Sequence, residues 1–262
     1  MNDLKREQMQ KIDDWFDSPL GISVKNTEQA ILDQLLSGYF GYHLMQMSVQ
    51  SEGLYDASPI GHKFSLAPPS KLTQNCSGTF VSEDSQLPLE DDSIDVILLH
   101  HLLDFSSSPQ MLLSEVARVA LPMGQVVIVG FNPLSSWGVW KSFAKLRGHA
   151  PWNGNFIRPG RLMDWLNLLN FKVDRTHYNT YGLPLQSKRA TSTPDYSQGL
   201  SRSLSLPFGS VYIMVARKQK STMIPIKPTW SKQKAFGQLS VVRPSRPAAG
   251  RDLSTRNLPP RD

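Results

Sequence analysis

The feature that most constrains this chain is the succession of buried strand, amphipathic helix and second buried strand near its middle. Residues Ile94 to Leu99 are apolar apart from Asp95, which is typical of a strand covered on both faces. Ser108 and Pro109 offer an N-cap and an N1 proline for a helix, and Val126 to Val129 follows as another apolar strand. This order predicts a right-handed parallel crossover, and therefore an α/β sheet.

The same alternation continues on both sides of this unit. The further predicted elements are a helix that Thr27 caps and Gly38 ends, a strand over Tyr42 to Met47, a turn at LPMG (121–124), a helix from Pro159 with Asn170 at C′, and strands over Phe171 to Tyr181 and Val211 to Ala216. No amphipathic helix separates the last two strands. We therefore predict a doubly wound, Rossmann-like sheet of about seven strands whose last strand is antiparallel.

The net charge of +6 comes from the last part of the chain. Residues 219–262 contain nine Lys or Arg and two Asp, a net of +7, which leaves about −1 for the rest. This segment has few periodic apolar positions, so we predict a basic disordered tail after a domain over 29–218 and an N-terminal extension over 1–28. Such a tail either binds nucleic acid weakly through its cations or only keeps the protein soluble.

Composition excludes several classes of protein. No apolar run approaches the roughly 18 residues of a membrane span, so no membrane partner is expected. The only cysteine, Cys76, cannot form an internal disulfide, which fits a cytoplasmic protein. No P-loop, Ser/His/Asp triad or metal-ligand spacing is evident, so we expect neither a hydrolase or kinase nor a metal site.

The stretch from Leu87 to Pro133 resembles the central part of the type 11 methyltransferase domain family, and its GFNP segment resembles a little-characterised bacterial branch of that family. The residues that carry the resemblance are Glu83, Leu87-Pro88-Leu89, Ser93-Ile94-Asp95, Ser108-Pro109, Glu115, Arg118-Val119, Pro122 and Gly124. The resemblance implies a class I methyltransferase fold, S-adenosylmethionine as cofactor and an unidentified methyl acceptor, which we expect to be a small molecule.

The chain departs from this family where the cofactor would bind. The family follows its first strand with a G-x-G-x-G loop, because glycine lets the backbone approach the cofactor, but here Ser48, Gln50 and Gly53 stand there. The family also ends its second strand on a carboxylate for the ribose hydroxyls, and here Ser65 takes that place. The resemblance thus implies a cofactor site made of Ser48, Gln50, Gly53, Ser65, Glu83 and His100.

Candidate catalytic and acceptor-binding residues follow the predicted central strands. His100 and His101 end the Ile94 strand, where side chains face the ligand crevice, so one is expected to contact the methionyl group or act as a base. The alternative is that one ends the strand and the other begins the next helix. Asn132 and Trp137 follow the next strand and are candidates for acceptor binding, although the Trp137 stripe is also typical of a helix packed on the core or of a lid.

Two hypotheses for the function remain at this stage. The first is an S-adenosylmethionine-dependent methyltransferase with a degenerate cofactor loop. The alternative is a non-catalytic pseudo-methyltransferase that acts as an interaction or regulatory module, because the glycine loop and the ribose carboxylate are missing. Binding of the cofactor would separate them.

Overall fold

Six helices and six strands make up most of the chain that the structure describes. The computed structural model describes residues 3–50, 52–66, 86–144, 151–179 and 209–219. The elements are α1 (Asp3–Phe16), α2 (Pro19–Leu36), β1 (His43–Ser48), β2 (His62–Leu66), β3 (Ile94–His100), α3 (Leu102–Phe105), α4 (Pro109–Val119), β4 (Ala120–Phe131), α5 (Ser136–Ala144), α6 (Pro159–Leu168), β5 (Phe171–Asn179) and β6 (Val211–Lys218).

The strands form one sheet in the order β2-β1-β3-β4-β6-β5. β1 pairs in parallel with β2 and β3, and β3 pairs in parallel with β4. β6 is antiparallel to both of its neighbours, β4 and β5. The α/β fold with an antiparallel last strand is therefore confirmed, with six strands in the described ranges against the expected seven.

Two apolar cores cover the two faces of the sheet, because alternate residues of each strand point to opposite faces. One face packs Met45 and Ile97 against α4 and α6, and the other packs Leu98 and Val127 against α2 and α5. The central strands are buried on both sides, which explains their continuous apolar sequences. This layering is the doubly wound arrangement that the sequence predicts.

Helix α2 begins earlier than the sequence suggested. The prediction that Thr27 caps this helix is wrong: Ser18 is the N-cap, and its side chain accepts a hydrogen bond from the Gly21 amide at 3.1 Å. Thr27 lies inside the helix, where its hydroxyl donates to the Ser23 carbonyl at 2.9 Å. α2 therefore runs across the boundary expected between residues 28 and 29, and its middle becomes available to the sheet.

The segment LPMG is an irregularity inside a long strand rather than a separate turn. α4 ends at Val119 and β4 begins at the next residue, but the register with β3 shifts between Ile94 and Val96. Met123 has a φ of 71°, the left-handed backbone expected of a turn. The predicted turn is thus present as a bulge. Asn170, at 61°, has the predicted C′ conformation after α6.

Several predictions concern residues outside the described ranges. Glu83, Cys76 and, apart from Gln219, the tail of residues 219–262 are among them. Within the described part of the chain, no helix is both long and apolar enough to cross a membrane.

Candidate functional site

The carboxyl ends of β1 and β3 lie side by side, and they bring three of the predicted site residues together. Ser48 and His100 are register partners at the last position of the two strands. The Ser48 Oγ lies 3.0 Å from His100 Nδ1 and accepts the Gln50 amide hydrogen at 2.9 Å. All three side chains are buried, and Gln50 Oε1 has no hydrogen-bond partner among the described residues.

The loop after β1 is tied back onto that strand by the buried side chain of Gln46. Its Nε2 donates to the Glu52 carbonyl and its Oε1 accepts from the Leu54 amide, both at 2.7 Å. These bonds hold Gly53, an exposed residue, between them. Both polar atoms of this buried side-chain amide are hydrogen-bonded, so Gln46 fixes the conformation of the loop. The family has a glycine-rich sequence at this position.

Ser65 lies near the carboxyl end of β2, next to this loop. It is half-buried, is the register partner of Gln46, and its hydroxyl is 3.4 Å from the Tyr55 hydroxyl. The 3.4 Å separation is long for an O–H···O bond, so Ser65 keeps hydrogen-bonding capacity.

A buried carboxylate on α2 joins the two histidines. Glu28 Oε2 lies 3.0 Å from His100 Nε2, and Glu28 Oε1 lies 2.9 Å from His101 Nε2. The Nδ1 of His101 lies 3.3 Å from Asp104 Oδ2, which also accepts the Phe131 amide hydrogen at 2.9 Å. Glu28, His100, His101 and Asp104 are each at most 1% exposed, so this network is sealed from solvent.

The backbone of His101 explains how neighbouring residues reach one carboxylate. Consecutive side chains on a strand point to opposite faces, so an extended His101 would point away from Glu28. His101 instead has a φ of 53°, in the left-handed region that non-glycine residues adopt only at a cost. This turn at the end of β3 directs both imidazoles to Glu28.

Hydrogen-bond geometry fixes the protonation of the network. Both ring nitrogens of His101 face carboxylate oxygens, so both must donate and the ring is a cation. Burial alone would lower the pKa of His101, but the charge of Glu28 and the bonds to Asp104 and Glu28 raise it. Burial also works to raise the pKa of Glu28, yet the His101 charge and the bonds from both imidazoles lower it, so Glu28 is ionised.

His100 differs from its neighbour. Its Nε2 donates to Glu28, whereas its Nδ1 accepts from the Ser48 hydroxyl, whose own oxygen is already used by the Gln50 amide. Burial, the largest influence, lowers the pKa of His100. His100 is therefore the neutral imidazole of the pair. The Asp104 pKa is raised, first because of burial.

Aromatic rings enclose the histidines. The Phe16 ring, at the end of α1, lies 5.5 Å from both imidazoles, and the Phe131 ring lies 4.1 Å from His101. Trp137, 1% exposed, stacks on Phe131 at 5.9 Å and meets Trp152 at 5.7 Å. α1 thus covers the carboxyl edge of β3, and Trp137 belongs to the core that supports it.

Asn132 is also held firmly, just after β4. Its backbone N–H donates to the Ser210 carbonyl at 2.8 Å, and its Nδ2 donates to the Gly209 carbonyl at 2.9 Å. Its Oδ1 accepts from the Leu134 amide at 3.0 Å. The Asn132 side chain was expected to orient an acceptor, but in the structure it ties the end of β4 to the start of β6.

Comparison with known proteins connects this geometry to a family. Residues 63–128 match a family model described as a methyltransferase domain. An S-adenosylmethionine-dependent methyltransferase from Thermotoga maritima, described as a possible histamine N-methyltransferase, has a TM-score of 0.61 at 17% identity, covering 82% of this chain and 97% of that chain. This likeness shows that the chain has the class I methyltransferase fold.

Other relatives agree with this assignment. Geranyl diphosphate C-methyltransferase from Streptomyces coelicolor A3(2) has a TM-score of 0.52 at 15% identity, covering 74% of this chain and 79% of that chain. An uncharacterised protein of Escherichia coli (strain K12), YafS, is 32% identical over 162 residues, which is 62% of this chain and 65% of that relative. The structural likenesses, at such low identity, define a class I methyltransferase fold.

Sequence reasoning missed two members of the buried network in this class I fold, Glu28 and Asp104. A signal for Glu28 was available: it lies between Val24 and Leu32 on the apolar stripe of α2, where a charge is buried only with partners. Asp104 follows His101 at a spacing of three. The link between Glu28 and the histidines spans more than 70 residues, which local patterns do not reveal.

Proposed function

We propose that the protein is an S-adenosylmethionine-dependent methyltransferase that acts on a small-molecule acceptor. The observation that carries this proposal is the meeting of Ser48, Gln50 and His100 at the carboxyl ends of neighbouring parallel strands, where open α/β sheets bind ligands. The methyltransferase domain match over residues 63–128 favours an enzyme over a non-catalytic module. Geranyl diphosphate, the substrate named for one structural neighbour, is a small molecule.

The described residues fit the cofactor's methionyl end. The buried Gln50 Oε1 meets no hydrogen-bond donor in the part of the chain that the structure describes, and an ammonium group is a suitable donor for it. Ser65, near the end of β2, would contact the ribose, and Glu83 would accept from the adenine amino group. Gly53 gives the loop a residue without a side chain near this end. Because a hydroxyl replaces the usual ribose carboxylate, we expect weak affinity for the cofactor.

The chemistry asks little of the protein beyond alignment. Bound S-adenosylmethionine supplies an electrophilic methyl group, and transfer depends mainly on proximity and in-line orientation. A base is needed only if the acceptor must lose a proton. Of the two proposed catalytic histidines, His100 is neutral and can take up a proton, whereas His101 is a cation that fixes Glu28. Asn132 and Trp137 support the wall on which an acceptor would rest.

Calorimetric titration of the full chain with S-adenosylmethionine and S-adenosylhomocysteine tests the proposal. We expect weak saturable binding that Glu83→Ala reduces by about tenfold to hundredfold, because a hydrogen bond to a charged acceptor is lost. Ser65→Asp should tighten binding, because the ribose hydroxyls gain a charged bidentate partner. Ser23→Asp, which adds the same charge at an exposed position of α2, is the matched control and should change nothing.

The non-catalytic alternative makes a different prediction for the same titrations. With no ligand in the crevice, neither Glu83→Ala nor Ser65→Asp would alter the heats. Wild-type protein that shows no binding at millimolar cofactor, and stays silent after Ser65→Asp, would refute the methyltransferase proposal.

A further inference from the structure

We propose that Glu28, His100 and His101 form a binding site for one divalent transition-metal ion of the Zn²⁺ type. The proposal does not rest on the proposed methyl transfer, but the two share His100 and Ser48. Two imidazole nitrogens and one carboxylate are a frequent ligand set for such ions. Here Glu28 Oε1 and Oε2 each face one histidine Nε2, at 2.9 and 3.0 Å, and the three side chains are buried.

The outer atoms of both imidazoles support this assignment. In metal sites, a ligating histidine usually has its other ring nitrogen held by an oxygen, which fixes the orientation of the ring. His101 Nδ1 is held by Asp104 Oδ2 at 3.3 Å, and His100 Nδ1 is held by Ser48 Oγ at 3.0 Å. Asp104 and Ser48 are in turn fixed by the amides of Phe131 and Gln50. Both rings thus direct Nε2 towards Glu28. Metal binding would displace the protons on both Nε2 atoms and leave His100 as the tautomer whose Nδ1–H donates to Ser48.

The backbone is arranged for this convergence at a cost. The left-handed φ of His101, 53°, is what brings its ring to the same side as His100. Unfavourable backbone conformations of this kind are concentrated at functional sites. Packing alone does not require two adjacent histidines on one carboxylate, whereas a metal ion requires its ligands to converge.

The distances are suitable for an ion. The ligand atoms of the three residues all lie within 4.8 Å of one another. Metal–nitrogen and metal–oxygen bonds of about 2.0 to 2.2 Å place neighbouring ligand atoms about 3 to 4 Å apart, so an ion would only need the Nε2–Oε distances of 2.9 and 3.0 Å to widen slightly. Three protein ligands would leave the fourth position of a tetrahedral ion for a further ligand.

The experiment uses full-length protein without an affinity tag, stripped with chelator and then dialysed against about 1 μM free Zn²⁺, a concentration that selects sites of micromolar or tighter affinity. Metal content is measured by mass spectrometry, and Co²⁺ absorption reports the ligand geometry. The matched control is His62→Asn, which breaks the exposed His43–His62 pair, with Nδ1 atoms 2.8 Å apart, at the other end of β1 and β2.

We expect one Zn²⁺ per chain in both wild-type protein and His62→Asn. Asp104→Asn should weaken binding by about tenfold to hundredfold, as loss of such an outer partner typically does. Glu28→Gln, checked for folding by circular dichroism, should lose the ion. The proposal is overturned if His62→Asn retains no metal, or if folded Glu28→Gln retains a full equivalent.

Titrating the same samples with S-adenosylmethionine keeps this proposal separate from the proposed function. Zn²⁺ bound without any cofactor binding would leave the metal site standing and refute the methyltransferase. Cofactor binding by protein that holds no metal would refute the metal site and leave the methyltransferase proposal standing.

Discussion

At the level of single residues, Glu28 is the group whose loss should matter most for folding. Its charge is buried in α2 and is balanced by His101. Glu28→Gln leaves a buried cation without its partner, so we expect the free energy of unfolding to fall by about 3 to 5 kcal/mol. Urea denaturation with chelator present measures this. Glu7→Gln, which breaks the exposed pair with Lys11, is the control and should leave the free energy of unfolding nearly unchanged. A loss below about 1 kcal/mol for Glu28→Gln would contradict the buried ion pair.

Glu115 predicts a pH dependence. Hydrogen bonds from Arg118 lower the pKa of Glu115, and the hydrogen bond from the Leu87 amide lowers it further, whereas partial burial works to raise it. Because the folded pKa is lower than the unfolded one, the stabilisation is complete above an ordinary carboxyl pKa of about 4.3 and is lost as the pH falls through the folded value. Glu115→Gln should therefore cost about 1 kcal/mol at pH 7 and progressively less as the pH falls below about 4.

The control for this prediction is Glu90→Gln, an exposed acid in the neighbouring segment. It should have little effect on unfolding at either pH. A Glu115→Gln deficit that is equal at pH 7 and pH 3 would show that the ion pair with Arg118 is not its cause.

Among the elements, the corner between α1 and α2 is tightly packed. A Cβ added at Gly21 would lie 2.6 Å from the Phe16 Cα, so Gly21→Ala should destabilise the protein by about 1 to 3 kcal/mol. Gly160, in the first turn of α6, has nothing within 4 Å of such a Cβ. Gly160→Ala should stabilise by about 0.5 to 1 kcal/mol, because alanine favours the helix. Thermal denaturation of both variants measures the contrast, and equal shifts would refute the close contact at Gly21.

The elements also show which sequence signals are reliable. The α4 signal at Ser108-Pro109 was read correctly, while the same Ser-Pro signal at Ser18-Pro19 marks the true start of α2 and was overlooked. The apolar run of β3 predicted its strand because both faces are buried. LPMG was read as a turn, which its backbone at Met123 resembles, but pairing with β3 resumes after it and keeps the segment within β4. Pairing with β3, rather than the local sequence, therefore determines the conformation of this segment.

For the whole molecule, the sheet topology followed from local patterns, but the network at its edge did not. Parallel strands place their carboxyl ends together, so the proximity of Ser48 and His100 could be predicted. The contact of Glu28 with both histidines depends on how α2 lies on the sheet and on the left-handed turn at His101. No residue spacing in the sequence encodes either feature, so Glu28, which contacts both histidines, was not among the predicted site residues.

The charge distribution of the whole chain leads to a last prediction. Truncation after Gln219 removes nine Lys or Arg and two Asp, which changes the net charge from +6 to about −1. It also retains the hydrogen bond from the Gln219 amide to the Asn170 carbonyl, at 2.8 Å. Because the removed sequence has little capacity to bury apolar surface, the melting temperature should change by less than about 5 °C.

Any binding to duplex DNA or RNA should be weak in the full chain, should fall steeply with added salt as displaced counterions become abundant, and should be absent after truncation. Fluorescence anisotropy at several salt concentrations measures this. Equal binding by the two proteins would place the interaction on the α/β domain instead.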